Sequence, residues 1–205
     1  MHTTFATAIT KLAGLGAAAV AVAVGVATAA PPVQSVPQVD TQRWAGTWYE
    51  LARVPNGMQA RCIADATATY LPRSDGSLRV IQRCRDADSK WYVATARAVG
   101  SDTDRSGAAR LRLSYLPEWL DWLPASRDDH WVVMLDDDYR YAVVSEPSRK
   151  QLWILSRTPD IDSVTYDRIV TNLRAAHFPV EQLVSTPQLA QRQSPASAMR
   201  LHLMV

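Results

Sequence analysis

From Gln42 onward the chain consists of short apolar segments separated by turn-forming residues. These segments have strand length and are rich in Val, Thr, Tyr and Trp, which indicates β-strands rather than helices. Many short strands joined by short, even loops favour an antiparallel up-and-down barrel over a sandwich. A barrel of about eight strands either encloses one small ligand or is filled by its own side chains. We predict eight strands, at residues 47–54, 64–71, 77–84, 91–99, 109–115, 130–135, 141–145 and 151–156.

One segment near the end of the chain has helical rather than strand periodicity. Its apolar residues recur every three or four positions, which predicts an amphipathic helix packed on the outside of the sheet. Asp162 is the expected N-cap, and Pro179 forces the preceding residue out of the helical region. A last short strand is predicted at 180–184. The apolar stripe of the helix consists of Val164, Tyr166, Ile169, Val170, Leu173 and Ala176.

The N-terminal segment is expected to direct export and to be removed from the mature protein. Residues 12–30 are almost entirely Ala, Val, Gly and Leu, and Ala27-Thr28-Ala29 has the small residues of a cleavage site. A retained transmembrane anchor is the alternative, although Ala and Gly make this run only weakly apolar. The chain then divides into a signal peptide (1–29), a leader (30–41), one domain (42–188) and a disordered tail (189–205).

Charge and cysteine content narrow the class of protein further. The formal net charge is +2, and loss of the N-terminal segment with Lys11 leaves the domain nearly neutral. Nothing in this balance predicts a nucleic-acid partner, which requires a basic patch. Cys62 and Cys84 are the only cysteines, and an even number in an exported chain indicates a disulfide. A hairpin that turns near Gly76 brings the two together, whereas a free nucleophilic thiol is the alternative.

Three short segments resemble the motifs of the lipocalin family, and most closely the bacterial outer-membrane, apolipoprotein D-like lipocalins. Residues 44–50 contain the Gly-x-Trp signature, 136–139 resemble the motif between the sixth and seventh strands, and 154–159 resemble the arginine motif after the last strand. The resemblance covers roughly residues 42–188. It implies an eight-stranded antiparallel up-and-down β-barrel with one C-terminal α-helix packed outside.

The resemblance also implies how the barrel closes at one end. Trp48 would lie there with Arg157 packed across its ring, a favourable contact between a planar cation and an indole face. Gly46 would allow a close approach of the backbone. The alternative is that Trp48 is an ordinary core aromatic and Arg157 a surface charge. Bacterial members of the family are often lipoproteins attached through an N-terminal cysteine, and this sequence has no cysteine near the cleavage site.

Alternation along the predicted strands selects candidate residues for a ligand cavity. Alternate residues of a strand share one face, so Trp131 and Val133 are expected to point the same way. Trp and Tyr suit a half-polar cavity because each combines a broad apolar face with one polar atom. The alternative is that some of these faces meet the helix or a partner. The cavity candidates are Ala68, Tyr70, Val80, Leu111, Leu113, Tyr115, Trp131, Val133 and Trp153.

An apolar segment bounded by prolines, residues 116–124, connects two of the strands. Trp119, Leu120 and Trp122 make it a candidate lid over the cavity or a contact with a membrane, because exposed apolar patches of this kind mark interaction sites. The alternative is a short helix that folds back onto the barrel.

Motifs that would indicate catalysis or metal binding are weak. Asp102-x-Asp104-x-Ser106-Gly107 imitates the start of a calcium loop, but Leu113 stands where a bidentate Glu is needed. Asp128-Asp129-His130 is explained better by a solvated turn than by an acid–base pair or a metal site. We therefore expect no cofactor and no metal, and we expect a protein that is not an enzyme.

These observations predict an exported protein, periplasmic or secreted, that binds, stores or transports a small hydrophobic ligand. A fatty acid, a lysophospholipid or a similar lipid is the ligand that the resemblance implies, at the bacterial cell envelope. Peripheral contact with a membrane is compatible with this interpretation, as is either a monomer or a homodimer. The alternatives are an exported interaction protein with a filled interior, such as a protease inhibitor, and an enzyme that isomerises or oxidises its ligand.

Overall fold

The computed structural model describes residues 30–100, 108–120, 123 and 127–189. Within them the helices are α1 (Thr41–Trp44) and α2 (Ser163–Ala175), and 3₁₀ turns occur at Glu118–Leu120 and Val180–Gln182. All eight predicted strands are present, with small shifts at their ends. The strands are β1 (Gly46–Arg53), β2 (Ala64–Pro72), β3 (Leu78–Arg85), β4 (Trp91–Gly100), β5 (Arg110–Ser114), β6 (Arg127–Leu135), β7 (Tyr141–Ser145), β8 (Leu152–Ser156) and β9 (Val184–Ser185).

The strands form one antiparallel sheet that closes on itself. Each strand from β2 to β7 pairs with the next one along the chain, and β1 pairs with both β8 and β2. These eight strands therefore make a closed barrel, and the short β9 adds to β1 outside that circuit. The up-and-down order and the helix outside it confirm the predicted fold class.

Alternation along the strands separates two apolar clusters, one inside the barrel and one outside it. The inner cluster contains Trp48, Tyr70, Val80, Leu111 and Val144 among its buried members. These residues come from five different strands and face one another across the interior. Burial of these large side chains contributes to the hydrophobic stabilisation of the barrel.

Helix α2 covers the outer cluster. Its predicted N-cap is present, because Asp162 Oδ1 accepts a hydrogen bond from the backbone N–H of Thr165 at 2.8 Å. Ile169 and Leu173 are fully buried against wall residues that include Ile154. The middle of the predicted stripe therefore packs on the barrel, whereas Val164 and Ala176 at its two ends are exposed.

The closed end of the barrel has the arrangement that the resemblance implies. The Arg157 guanidinium carbon lies 3.8 Å from the centre of the Trp48 ring. The same guanidinium donates to the backbone carbonyls of Arg43, Trp44 and Thr47. Gly46 has φ +95°, and a Cβ placed there would lie 3.3 Å from Arg157 Nη1. A side chain at this position would therefore disturb the stacked arginine.

Cys62 and Cys84 form the predicted disulfide, with Cα atoms 5.5 Å apart. Cys62 lies just before β2, and Cys84 lies near the end of β3, so the bond links neighbouring ends of a paired hairpin. A disulfide of this kind persists in an oxidising compartment. By restricting the unfolded chain it stabilises the fold by about 3 kcal/mol.

Two segments differ from the sequence interpretation. The segment at 30–41 was expected to be a simple leader, yet Val33, Val36 and Val39 pack into the two apolar clusters. The strand predicted at 180–184 is wrong in extent, because Val180–Gln182 forms a 3₁₀ turn and only Val184–Ser185 pairs with β1. The chain turns here because Val180 buries its side chain in the outer cluster.

The predicted signal peptide (1–29) and all but the first residue of the predicted tail (189–205) lie outside the described residues. The calcium-like motif at 102–107 also lies outside them. Among the residues that the structure does describe, no helix has the length and apolar character needed to span a membrane.

Candidate ligand-binding cavity

A partly enclosed cavity of about 350 Å³ lies inside the barrel. This volume falls within the range of small-molecule sites, which are mostly apolar with a few well-placed polar groups. The walls come from β1 to β4, β6 and β8, and the loop between β1 and β2 contributes to them. The lining residues are Glu50, Met58, Gln59, Cys62, Thr67, Ala68, Tyr70, Gln82, Arg83, Cys84, Tyr92, Ala94, Tyr115, Asp128, His130, Trp153 and Leu155.

The β1–β2 loop is held against the cavity by one glutamine. Trp153 Nε1 donates to Gln59 Oε1 at 2.6 Å, and Gln59 Nε2 donates to Glu50 Oε2 at 2.6 Å. The other oxygen of Glu50 accepts from Arg53 Nη1 at 2.7 Å and from the hydroxyl of Thr186. Because Arg53 neutralises Glu50, this network brings hydrogen-bonding capacity to the cavity with little net charge.

A buried tyrosine–histidine pair bounds the cavity at its inner end. Tyr70 Oη and His130 Nε2 lie 2.7 Å apart, and both side chains are buried. Burial lowers the pKa of His130 to about 4, and it raises the pKa of Tyr70 well above its usual range. Both groups are therefore uncharged at neutral pH. The rings of Trp44 and Trp153 flank the pair, 5.3 Å from Tyr70 and 5.9 Å from His130 between centroids.

A second polar group of residues lies along another part of the wall. Tyr115 Oη donates to Gln82 Oε1 at 2.8 Å. Burial, together with the nearby carboxylate of Asp128, raises the pKa of Tyr115 to about 12. The pKa of Asp128 is itself raised, first by partial burial and then by the charge of Asp129. This part of the wall therefore combines neutral hydrogen-bonding groups with one carboxylate.

Seven of the nine cavity candidates from the sequence face the interior of the barrel. Ala68, Tyr70, Tyr115 and Trp153 line the main cavity, and Leu113 lines a small recess beside it. Val80 and Leu111 face the interior but lie in the inner apolar cluster rather than on the cavity wall.

Trp131 and Val133 are a correction, because they lie on the outside of the barrel. Both pack against the outer cluster, and Arg110 stacks on the Trp131 ring at 4.7 Å. The residues that face inward from β6 before its irregularity are Asp128, His130 and Val132. The alternation was assigned to the wrong face, and the irregular register between Val132 and Met134 shifts it again further along the strand.

Polar lining residues were not identified from the sequence. Glu50, Gln59 and Gln82 carry no signal of their own, since polar residues in a strand or loop usually face water. His130 was assigned to a solvated turn because two aspartates precede it. His130 of β6 pairs with Leu111 of β5, and both face the interior. Alternation along β6, if it had been assigned to the correct face, would have identified His130 as a lining residue.

The candidate lid segment does not line the cavity in the part that the structure describes. Trp119 is 73% exposed within the 3₁₀ turn Glu118–Leu120, and Trp122 lies outside the described residues. Glu118 approaches Arg97 and Arg73 at 3.6 and 3.4 Å. These contacts place Glu118 near the turn between β2 and β3, on the outer surface of the barrel.

Among the described residues, no group of three or more His, Cys, Asp or Glu side chains is arranged to hold a metal ion. The described cavity wall offers apolar contact, neutral hydrogen-bonding groups and the carboxylate of Asp128.

The fold and this interior cavity define a class of small-molecule-binding barrels. A family model described as a lipocalin-like domain matches residues 39–188 of the chain, and the chain belongs to the lipocalin family. Members of this family generally bind small hydrophobic ligands and are not generally enzymes.

Individual relatives are found among bacterial and plant proteins. The chain is 32% identical over 185 residues to outer membrane lipoprotein Blc of Escherichia coli (strain K12), covering 87% of this chain and 98% of that protein. It is 31% identical over 157 residues to temperature-induced lipocalin-1 of Arabidopsis thaliana, covering 76% and 83%.

Solved structures support the fold. Insecticyanin from the tobacco hornworm Manduca sexta superposes with a TM-score of 0.61 at 16% identity, covering 82% of this chain and 88% of that one. At this identity the likeness concerns the barrel architecture alone.

Proposed function

We propose that the protein binds a single-chain amphiphilic lipid in the barrel cavity and stores or transports it at the cell envelope. The observation that carries the proposal is the cavity of about 350 Å³ with mainly apolar and aromatic walls. Affinity arises from removal of the acyl chain from water, at about 25 cal/mol per Å² of apolar surface. An interior filled by side chains, as an exported inhibitor of the alternative kind requires, is not what the described residues form.

The polar groups on the cavity wall favour an amphiphile over a plain hydrocarbon. Gln59, Gln82 and Tyr115 supply hydrogen bonds on the wall, while Leu155 and Trp153 supply apolar contact. A lipid with an acyl chain inside and a polar head beside these groups satisfies both. Fatty acids and lysophospholipids have this form.

The disulfide supports the location in this proposal. Cys62 and Cys84 are bonded, which favours an oxidising compartment such as the periplasm or the outside of the cell. The names of several relatives describe outer membrane lipoproteins. We propose that this chain is likewise exported and acts in the same region of the cell.

Binding of a dansyl-labelled undecanoic acid and of lysophosphatidylethanolamine to the delipidated protein tests the proposal. Ala94→Phe places a large ring in the cavity, whereas Val93→Phe adds the same ring on the neighbouring outward position, which is 52% exposed. We expect Ala94→Phe to weaken binding of both lipids more than 10-fold and Val93→Phe to leave it unchanged. Wild-type protein that binds neither lipid, or an Ala94→Phe variant that binds both normally, contradicts the proposal.

A further inference from the structure

The hydrogen bond between Tyr70 and His130 leaves one polar atom of the histidine without a protein partner. His130 is 6% exposed and lines the cavity, and its Nε2 is taken by Tyr70 Oη at 2.7 Å. Its Nδ1 makes no hydrogen bond to any described residue. This atom is not among the fully buried polar atoms that lack a partner, so it keeps some accessible surface. This nitrogen is therefore the part of the pair that is left for a guest.

The partners of Tyr70 determine which nitrogen of His130 carries the proton. The Tyr70 hydroxyl makes no other hydrogen bond among the described residues, so it satisfies its proton by donating to His130 Nε2. A neutral imidazole that accepts at Nε2 carries its proton on Nδ1. We infer this tautomer from the hydrogen-bond partners. In it, His130 offers an N–H donor to the cavity.

The surroundings of this donor favour an uncharged partner over a charged one. The rings of Trp44 and Trp153 flank the Tyr70–His130 pair, and burial is the sole cause that shifts the pKa of His130. The imidazole of His130 is neutral, so a carboxylate placed against Nδ1 would be removed from water for a bond to an uncharged donor, which costs more than the same bond to an uncharged carbonyl oxygen. An uncharged oxygen, such as a carbonyl, carries no such cost.

We propose that His130, oriented by Tyr70, donates a hydrogen bond from Nδ1 to an uncharged carbonyl oxygen of the ligand, so that the cavity selects esterified or ketone-bearing chains. This inference rests on the proposed function and adds the chemical class of the guest. A free fatty acid can enter with its carboxylate at the mouth, but its alkyl tail then leaves the His130 donor unused. An acyl ester whose carbonyl reaches the inner end of the cavity uses it.

Three probes with equal numbers of heavy atoms test the inference: methyl dodecanoate, 1-tetradecanol and pentadecane. Each is measured by displacement of the dansyl-labelled undecanoic acid from wild type and from His130→Phe. We expect the preference of wild type for the ester over the alkane to fall about 5- to 10-fold in His130→Phe, the worth of one hydrogen bond. Because the ratio is compared between proteins, differences in water solubility cancel.

Tyr70→Phe provides a readout that a merely structural role would not change. Without the tyrosine proton, Nε2 is free to hold the imidazole proton and Nδ1 becomes an acceptor. We expect this variant to lose preference for the ester and to gain preference for the alcohol, which is able to donate. Equal loss of all three probes would instead indicate damage to the cavity and would overturn the inference.

A measurement on the wild-type protein keeps the inference testable if a variant does not fold. Long-range ¹H–¹⁵N NMR spectra report which imidazole nitrogen of His130 is protonated. We expect protonation at Nδ1 and a shift of that nitrogen on addition of methyl dodecanoate. Protonation at Nε2, or an unchanged ester preference in His130→Phe, overturns the inference alone. Failure of wild type to bind the dansyl-labelled fatty acid and lysophosphatidylethanolamine overturns the proposed function.

Discussion

Arg157 makes two kinds of contact at the closed end of the barrel. Its planar guanidinium stacks on Trp48 and also donates to three backbone carbonyls, those of Arg43, Trp44 and Thr47. A lysine has the charge but neither the plane nor the forked donors, so it cannot make both contacts at once. The arginine thereby ties the end of β8 to the segment that enters β1.

Gly46 permits this arrangement, and its replacement by alanine is expected to destabilise the protein. The residue has positive φ, and a Cβ there would lie 3.3 Å from Arg157 Nη1. We expect Gly46→Ala to lower the free energy of unfolding by about 1–2 kcal/mol, measured by urea denaturation. Gly76→Ala is the control, because Gly76 also has positive φ but its Cβ would meet nothing within 4 Å. Equal effects of the two substitutions would show that the arginine contact is unimportant.

At the level of single residues, the sequence predicts the aromatic residues of the cavity better than the polar ones. Tyr70, Tyr115 and Trp153 were predicted because large aromatic residues on strands favour the inside of a small barrel. Glu50 and Gln59 were not, because their inward placement depends on partners far along the chain, such as Trp153. Local sequence carries no information about such partners.

Strand β6 shows why the alternation of residues is an incomplete guide to a face. The strand pairs regularly up to Val132 with Val144, but the next pair is Met134 with Val143. The extra residue, Val133, breaks the period of two, so that Leu135 lies against the inner cluster although Trp131 faces outward. The sequence predicts the existence and place of the strand, whereas the bulge within it has no sequence signal.

Helix α2 depends on its buried stripe rather than on intrinsic helix preference. Ile169 is fully buried in the outer cluster, whereas Val164 in the first turn is 75% exposed. We expect Ile169→Ala to lower the free energy of unfolding by about 2–4 kcal/mol through the lost contacts and the cavity left behind. Val164→Ala is expected to have little effect. Urea denaturation of both variants, followed by circular dichroism, measures the difference, and similar losses would contradict the packing described.

At the scale of the whole molecule, the buried histidine makes stability depend on pH. Burial lowers the pKa of His130 from 6.5 to about 4, so between these values the unfolded chain binds a proton that the folded protein excludes. The free energy of unfolding therefore falls as pH falls through this window, by about 3 kcal/mol in total. Asp128, whose pKa is raised, changes stability in the opposite direction, in the range between its ordinary pKa and the raised one.

Comparison of variants isolates this contribution. We expect the loss of stability between pH 6.5 and 4 to be smaller in His130→Phe than in wild type. His177→Asn is the matched control, because His177 is exposed after α2 and its positive φ suits asparagine. Thermal or urea denaturation at several pH values measures both. An unaltered pH profile in His130→Phe would show that other groups determine the acid sensitivity.

The barrel as a whole was predictable because its signals are local and repeated. Each strand has its own composition and each turn its own breakers, such as Gly76 between β2 and β3, so an error in one strand leaves the topology intact. The placement of residues 30–41 was not predictable in the same way. Val36 and Val39 pack in the inner cluster through long-range contacts that no local sequence pattern predicts.

Two positions in the β1–β2 loop, Gln59 and Cys62, are restrained very differently. Past its middle, the disulfide at Cys62 anchors the chain covalently to β3, whereas Gln59 is held to Trp153 and Glu50 by single hydrogen bonds. Arg61 of the same loop stacks on Tyr92 at 4.7 Å, so the part of the loop beside the cavity is held by weak contacts that can break without unpairing a strand. We expect guests to exchange beside Gln59, where the enclosure of the cavity depends on side-chain contacts rather than on the pairing of strands.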